Sequence, residues 1–129
     1  MSNFGFGKEV NSGFEDAVQQ VTEELAKEGF GVLTTIDVQA TLKAKLDIDM
    51  PGYRILGACN PGLASQAISA VADIGLLLPC NVLVREDENG KVHVGFMDPG
   101  AVLSLVDDPR VDPLAEQVKS KLETVMAAL

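Results

Sequence analysis

The spacing of apolar residues divides the chain into stretches with a period of two and stretches with a period of three to four. The first kind predicts strands, and the second predicts amphipathic helices. Strand patterns occupy residues 3–10, 30–36, 53–59, 80–86 and 91–97. Asn89-Gly90 is typical of a tight hairpin turn between the last two strands. A two-residue turn at that position would place His93 opposite Glu86.

The clearest helical pattern lies between Ser12 and Gly29. Apolar residues recur there at helical intervals from Phe14 to Leu25. Ser12 and Glu15 have the spacing of a capping box, in which each side chain bonds the other residue's backbone at the start of a helix. Gly29 is typical of a helix end. We therefore expect one amphipathic helix in this stretch.

Four further helix starts are predicted where a polar residue directly precedes a helical pattern. Asp37, Asn60, Asp98 and Asp112 are typical N-cap residues, and a proline follows each of the last three. The helix after Asp37 has Val38, Leu42 and Leu46 on one stripe. The helix after Asn60 buries Leu63, Ala64, Ala67, Ile68 and Val71, and the one after Asp112 buries Leu114, Val118, Leu122, Val125 and Leu129.

These elements predict an α+β fold in the order β-α-β-β-β-β-α, with short helices inserted in the loops. We expect one domain of 129 residues. Its two layers would be a curved, mainly antiparallel five-stranded sheet and long helices that cover one face of it. In the predicted hairpin register, apolar residues occupy both faces of the last two strands. Leu83, Val92, Val94 and Phe96 would share one face, and Val82, Val84 and Met97 the other.

An antiparallel sheet usually leaves one face in water. A second apolar face would therefore be covered by the inserted helices, by a partner subunit or by a ligand.

The charge balance narrows the range of partners. Ten Lys and Arg residues stand against nineteen Asp and Glu residues, which gives a net charge of −9 with no basic cluster. Such a surface repels phosphate backbones and anionic lipids, so we expect neither nucleic acid nor membrane as a partner. The first ten residues lack the pattern of a signal peptide, and no apolar run is long enough to span a bilayer. We expect a cytoplasmic protein.

Few residues offer catalytic chemistry. Gly5 and Gly7 precede Lys8 without the spacing of a phosphate-binding loop. His93 is the single histidine, and the predicted hairpin separates it from Cys80 along the strand. No GxSxG surrounds a serine, and the adjacent acidic residues are typical of solvated charge. We therefore expect no catalytic residue, no metal site and no cofactor, and we favour a protein that is not an enzyme.

Cys59 and Cys80 are the strongest candidates for chemistry. Cys59 ends one predicted strand and Cys80 begins another, so antiparallel pairing would bring both thiols to the same edge of the sheet. The helix that follows Cys59 favours a thiolate through the partial positive charge at its N-terminus. Three interpretations stay open at this point. They are thiol or disulfide chemistry, a thiophilic metal with Met97 as a third sulfur, and inert packing.

Three segments carry a resemblance to a known family. ILGACNP, IGLLLPCNV and DPGAVLSLV resemble the bacterial and archaeal domain-of-unknown-function family 302 (DUF302), and the resemblance covers nearly the whole chain from Phe4 to Leu129. The most specific matches are Cys-Asn-Pro at 59–61 and Pro-Cys-Asn at 79–81. The resemblance implies an α+β fold similar to that of the TATA-binding protein, and a homodimer. It implies no established reaction.

Three classes of function follow. The leading hypothesis is a non-enzymatic small-ligand-binding or accessory protein that acts as a homodimer and binds its ligand in a groove beside Asn60, Cys80 and Asn81. The alternative is a thiol-based redox protein, or a sulfur- or metal-handling protein, that uses Cys59 and Cys80. The third is a purely structural interaction module.

Overall fold

A computed structural model describes residues 3–129 of the chain. The strands are β1 Gly5–Val10, β2 Gly31–Asp37, β3 Tyr53–Cys59, β4 Cys80–Glu86 and β5 Val92–Met97. The helices are α1 Phe14–Lys27, α2 Val38–Leu46, α3 Pro61–Ala70, α4 Pro99–Leu103 and α5 Asp112–Ala127. Two 3-10 turns, Ala72–Leu77 and Ser104–Val106, follow α3 and α4. All five predicted strands are confirmed, each within two residues of its expected bounds.

The strands form one antiparallel sheet in the order β1-β5-β4-β3-β2. Strand β4 lies in the centre, and β1 and β2 are the outer strands. This arrangement confirms the predicted α+β fold. No helix within residues 3–129 combines the length and the apolar composition that a bilayer crossing needs.

One face of the sheet is apolar and packs under α1 and α5. Leu56, Val82 and Phe96 occupy paired positions across β3, β4 and β5, and none of them is more than 2% exposed. Leu25 from α1 and Leu122 from α5 are completely buried in the same core. Burying each side chain of this size stabilises the fold by about 1.5–3 kcal/mol relative to leaving it exposed. The helices and the sheet are held together mainly by this layer.

The predicted register of the β4–β5 hairpin was wrong by one residue. His93 lies opposite Arg85 rather than opposite Glu86. The carboxylate of Asp87 accepts hydrogen bonds from two backbone N–H groups of the loop, at 2.9 and 3.0 Å, and Gly90 adopts a φ of 77°. The loop that results is longer than the predicted two-residue turn, and a glycine in the left-handed region is typical of such hairpins.

This shift also changes which residues share each face of the last two strands. Because successive residues point to opposite sides of a sheet, a slip of one residue exchanges the faces of a whole strand. In the observed register, the buried face holds Val82, Val84, Val92, Val94 and Phe96. The opposite face is mixed, since Leu83 and Met97 are half-buried there beside the polar Arg85 and His93.

Three of the four predicted N-caps are confirmed. Asp37, Asn60 and Asp98 each accept a hydrogen bond from a backbone N–H of the following helix, at 2.9, 3.3 and 2.9 Å. The prediction for Asp112 was wrong, because Asp112 is itself the first residue of α5. The preceding Val111 already has a helical backbone, so the helix begins without a side-chain cap.

The predicted capping box at the start of α1 was also wrong. The N-cap is Gly13, and no side chain bonds the helix start. Glu15 instead accepts two hydrogen bonds from the Arg54 guanidinium, at 2.9 and 2.8 Å. This bidentate pair ties α1 to β3, which takes the Glu15 carboxylate away from the backbone of its own helix.

Outer strand β2 contains a bulge at Leu33. Its pairing with β3 shifts between Val32, which lies opposite Ala58, and Thr34, which lies opposite Gly57. Leu33 therefore has no partner in the ladder, and its side chain is 68% exposed. A bulge of this kind bends its strand and increases the local twist.

Candidate ligand-binding site

A cavity of about 380 Å³ lies between α3 and the ends of β2, β3 and β4. Helix α3 contributes Ala64 and Ile68 to its wall, and α5 contributes Leu114 and Val118. The volume lies toward the lower end of the range of about 300–1,000 Å³ that is typical of small-molecule sites. The cavity is therefore large enough for a small organic molecule.

The wall of this cavity is almost entirely apolar. Its polar side-chain groups come from Thr34, Cys59, Asn60 and Cys80. No charged side chain lines the cavity in the part of the chain that the structure describes. Ionic recognition is therefore not available inside it.

Asn60 lines the cavity, but its amide is used to hold the backbone. Its Oδ1 accepts a hydrogen bond from the Leu63 N–H at 3.3 Å, and its Nδ2 donates one to the Glu28 carbonyl at 3.4 Å. Gly29 has a φ of 83°, and a Cβ there would lie 3.1 Å from Asn60 Nδ2. Asn60 thus joins the end of α1 to the start of α3, which positions the wall of the cavity.

Cys80 stands at the start of β4 and is 7% exposed. Burial, together with the nearby Cys59, raises the pKa of the Cys80 thiol to about 11. At neutral pH the sulfur is therefore protonated. It contributes to the cavity as a small apolar group rather than as a nucleophile.

Both predicted redox residues line this one cavity. Strands β3 and β4 are antiparallel neighbours, and Cys80 lies opposite Ala58. Adjacent residues of a strand point to opposite faces of the sheet. Because Cys59 is next to Ala58, which pairs with Cys80, the side chains of Cys59 and Cys80 leave the sheet from opposite faces. The Cα–Cβ bonds of the two cysteines therefore diverge, although both residues border the same cavity.

Thr34 and Pro79 cover one part of the wall over Gly57. A Cβ at Gly57 would collide with Thr34 Oγ1 and would lie 3.0 Å from Pro79 Cγ. Only glycine leaves room for these two side chains to meet above the strand. The bulge at Leu33 gives Thr34 this position.

Asn81, the third predicted ligand-binding residue, does not line this cavity. It follows Cys80 in β4 and so faces the opposite side of the sheet. There it borders a second cavity of about 300 Å³, together with Met97. Met97 is therefore not the third sulfur beside the cysteines. Residues 3–129 contain no group of three or more His, Cys, Asp or Glu side chains placed to hold a metal ion.

His93 lies away from both cysteines, close to the hairpin loop. Its Nε2 is 2.8 Å from Asp87 Oδ2. The hydrogen bond with His93, together with the backbone N–H of Lys91, holds the pKa of the Asp87 carboxyl below its usual range. This pair organises the turn and contributes nothing to the cavity.

The sequence did not identify Thr34, Leu33 or the α5 side chains as parts of a site. A partial signal was present for α3, because Ala64 and Ile68 belong to the stripe that was expected to be buried. Ile68 is 49% exposed, so the stripe faces a space that protein does not fill. No local pattern indicates that α5 reaches the same space.

Comparisons with known proteins agree with the fold and leave the chemistry of the site open. A family model for DUF302, described as a domain of unknown function, matches residues 6–129. The crystal structure of an uncharacterized conserved DUF302 protein from Bacillus stearothermophilus is similar, with a TM-score of 0.91 and 26% sequence identity over 98% of both chains. None of the curated proteins matches the chain.

Proposed function

The chain belongs to the DUF302 family, and from this premise we propose that it is a non-enzymatic protein that binds a small apolar ligand in the cavity beneath α3. The observation that carries the proposal is the cavity itself, with a volume of about 380 Å³ and an apolar wall. Leu33 and Ile68, which border it, are 68% and 49% exposed. Exposed apolar side chains beside an apolar cavity are typical of a ligand-binding site.

The groups around the cavity favour binding over catalysis. A general base needs a histidine, a carboxylate or a similar group within hydrogen-bond reach of the ligand. Within residues 3–129, neither a histidine nor a carboxylate lines the cavity. The Cys80 thiol is held protonated by burial, which makes it a weak nucleophile.

The proposal is tested with the uncharged fluorescent probe N-phenyl-1-naphthylamine, whose emission rises in an apolar environment. Its naphthyl group fits within the cavity, and its phenyl ring would lie at the open mouth beside Leu33 and Ile68. We expect saturable binding by the wild-type chain and at least tenfold weaker binding by Ala64→Phe, which fills the cavity. Ser65→Phe is the matched control, because Ser65 is exposed on α3 and does not line the cavity. If Ala64→Phe unfolds the protein, Ile68→Trp tests the same wall from a more exposed position. Equal binding by the cavity variants and by Ser65→Phe would contradict the proposal.

We further propose that the protein acts as a homodimer. The outer strand β2 exposes Leu33 and Ile36, at 68% and 50%, and apolar side chains on an outer strand favour association. Light scattering at micromolar concentration should give twice the mass of one chain. Ile36→Lys should shift the protein toward one chain, and Lys45→Glu serves as a control on the exposed surface of α2. A wild-type protein with the mass of a single chain would contradict this proposal.

Thiol chemistry is the second candidate function. It is supported by the position of Cys59 and Cys80 on the wall of one cavity. The high pKa of Cys80 and the diverging Cα–Cβ bonds weigh against it. Intact-mass measurement after mild peroxide treatment and alkylation separates the two functions. A species lighter by two hydrogens would support an intramolecular disulfide, and its absence would remove the disulfide form of this candidate.

A further inference from the structure

The polar groups of the cavity limit the chemistry of its ligand. Both polar ends of the Asn60 amide are already bonded, to Leu63 N and to the Glu28 carbonyl. The thiols of Cys59 and Cys80 offer only weak donors and weak acceptors. In residues 3–129 the Thr34 hydroxyl makes no hydrogen bond to another protein group. It is therefore the main group on the wall that is free to bond a ligand.

Two cations that lie close to lining residues along the chain, Lys119 and Arg110, already have partners. Lys119 follows the lining residue Val118, and its Nζ lies 3.2 Å from Asp98 Oδ2. The Arg110 side chain donates two hydrogen bonds to Asp108, at 3.1 and 2.7 Å, and one to the Ala70 carbonyl at 2.9 Å. Neither cation lines the cavity. A ligand anion would find no counter-charge there.

The net charge of the chain also disfavours an anionic ligand. Its net charge of −9 repels anions over the approach to the cavity. A carboxylate that left water for this apolar wall would lose its hydration without gaining an ion pair. The cavity therefore selects against fatty acids and phosphorylated metabolites, although a hydrocarbon chain fits its wall.

The volume sets the size of the ligand. A cavity of about 150 Å³ lined by Leu, Ile and Phe holds one benzene molecule. By that measure, the cavity of about 380 Å³ holds roughly 10–15 heavy atoms. This size corresponds to a hydrocarbon of medium length.

We infer that the ligand is an uncharged, mainly hydrocarbon molecule of roughly 10–15 heavy atoms with one hydrogen-bonding oxygen, which Thr34 binds. This inference rests on the proposed function and names its ligand class. A medium-chain alcohol or a neutral carbonyl compound has this chemistry. The corresponding ionised acid does not.

The experiment compares 1-decanol with decanoate at pH 8, where the acid is ionised and the two chains match in length. Each compound is titrated against the wild-type protein with bound N-phenyl-1-naphthylamine. We expect 1-decanol to displace the probe at a concentration at least about tenfold lower, because decanoate must desolvate its charge. Displacement by decanoate at an equal or lower concentration would overturn the inference.

Thr34→Val, which keeps the shape of the side chain, tests the bond to oxygen. The variant should bind 1-decanol roughly 2–10-fold more weakly, as expected for one neutral hydrogen bond, and should bind the naphthylamine probe as before. Unchanged binding of 1-decanol would overturn the role of Thr34. If the probe itself fails to bind the wild-type chain, the proposed function fails. If the probe binds and decanoate is the better competitor, only the ligand class fails.

Discussion

At the scale of single residues, Cys80 shows how burial changes the chemistry of a side chain without any specific bond. The core around it raises the pKa of the thiol from 9.0 to about 11. Folding therefore favours the protonated form, and this contribution to stability is complete below pH 9. It is lost as the pH rises through 11, because the unfolded chain releases the proton first.

Because folding raises the pKa of Cys80, we predict that the protein loses stability in alkaline solution and that this loss depends on Cys80. The difference between 9.0 and about 11 corresponds to roughly 2–3 kcal/mol of unfolding free energy. Between pH 8.5 and 11.5, the wild-type chain should lose about this much more stability than Cys80→Ala in urea titrations. Cys59→Ala is the control, and over the same pH range it should lose nearly as much stability as the wild type. Parallel curves for the wild type and Cys80→Ala would contradict the prediction.

A second prediction at the scale of single residues concerns the close packing around Gly57. Alanine at this position would push aside Thr34 and Pro79, and overpacking of this kind costs about 1–3 kcal/mol. Gly57→Ala should therefore lower the unfolding free energy in urea by that amount. Gly31→Ala places the same methyl group on β2, where no atom lies within 4 Å, and should change stability little. Equal effects of the two substitutions would show that the contact at Gly57 does not matter.

At the scale of elements, α3 depends on one side chain for its position. Asn60 caps the helix and also bonds the end of α1. N-cap residues contribute about 0.5–2 kcal/mol. Because α3 forms one wall of the cavity, the same amide links the stability of the helix to the shape of the site.

Two substitutions at Asn60 separate these roles. Asn60→Ala should lower the unfolding free energy by about 1–2 kcal/mol, because both bonds are lost. Asn60→Asp keeps the acceptor for Leu63 N but loses the donor to Glu28, so it should retain the cap and cost less. Urea denaturation measures both, with Ser65→Ala as an exposed control in the same helix. If Asn60→Asp were as damaging as Asn60→Ala, the bond to α1 rather than the cap would dominate.

The elements also show which parts of the structure the sequence could predict. The strands, the long helices and the caps at Asp37, Asn60 and Asp98 follow from signals within a few neighbouring residues. The hairpin register was missed because the Asp87 side chain organises a longer loop than Asn89-Gly90 alone predicts. The cavity was missed in part because α5 meets α3 only in the folded chain.

At the scale of the whole molecule, acidic residues dominate the response to pH. The pKa of Asp108 is lowered to about 2, mainly by a hydrogen bond from the Arg110 side chain and to a smaller extent by one from the Arg110 backbone N–H. The Arg54 side chain likewise lowers the pKa of Glu15. Because these carboxylates hold their protons less tightly in the folded chain, they stabilise it above their ordinary pKa. That contribution is lost as the pH falls through the lowered values.

We therefore predict that stability falls as the solution is acidified below about pH 4, where carboxylates of ordinary pKa take up protons. Asp108→Asn removes the carboxyl whose pKa is lowered to about 2, so the variant should lose less stability than the wild type between pH 5 and pH 2. Thermal unfolding followed by circular dichroism measures the difference. Asp107→Asn, on the adjacent exposed residue, is the matched control. Identical acid curves for Asp108→Asn and the wild type would contradict the prediction.

The bulge at Leu33 has a consequence for solubility. From Gly31 to Ile36, strand β2 carries no charged residue or proline, and an outer strand of that composition is prone to pair with the same strand of other molecules. The bulge breaks the hydrogen-bonding edge into two short pieces and twists them apart, so a continuous stack of strands cannot extend from it. Deleting Leu33 would restore an unbroken hydrogen-bonding edge on β2, and the protein would then be more prone to form fibrils. One extra residue thus limits self-association through β2 to contacts between side chains.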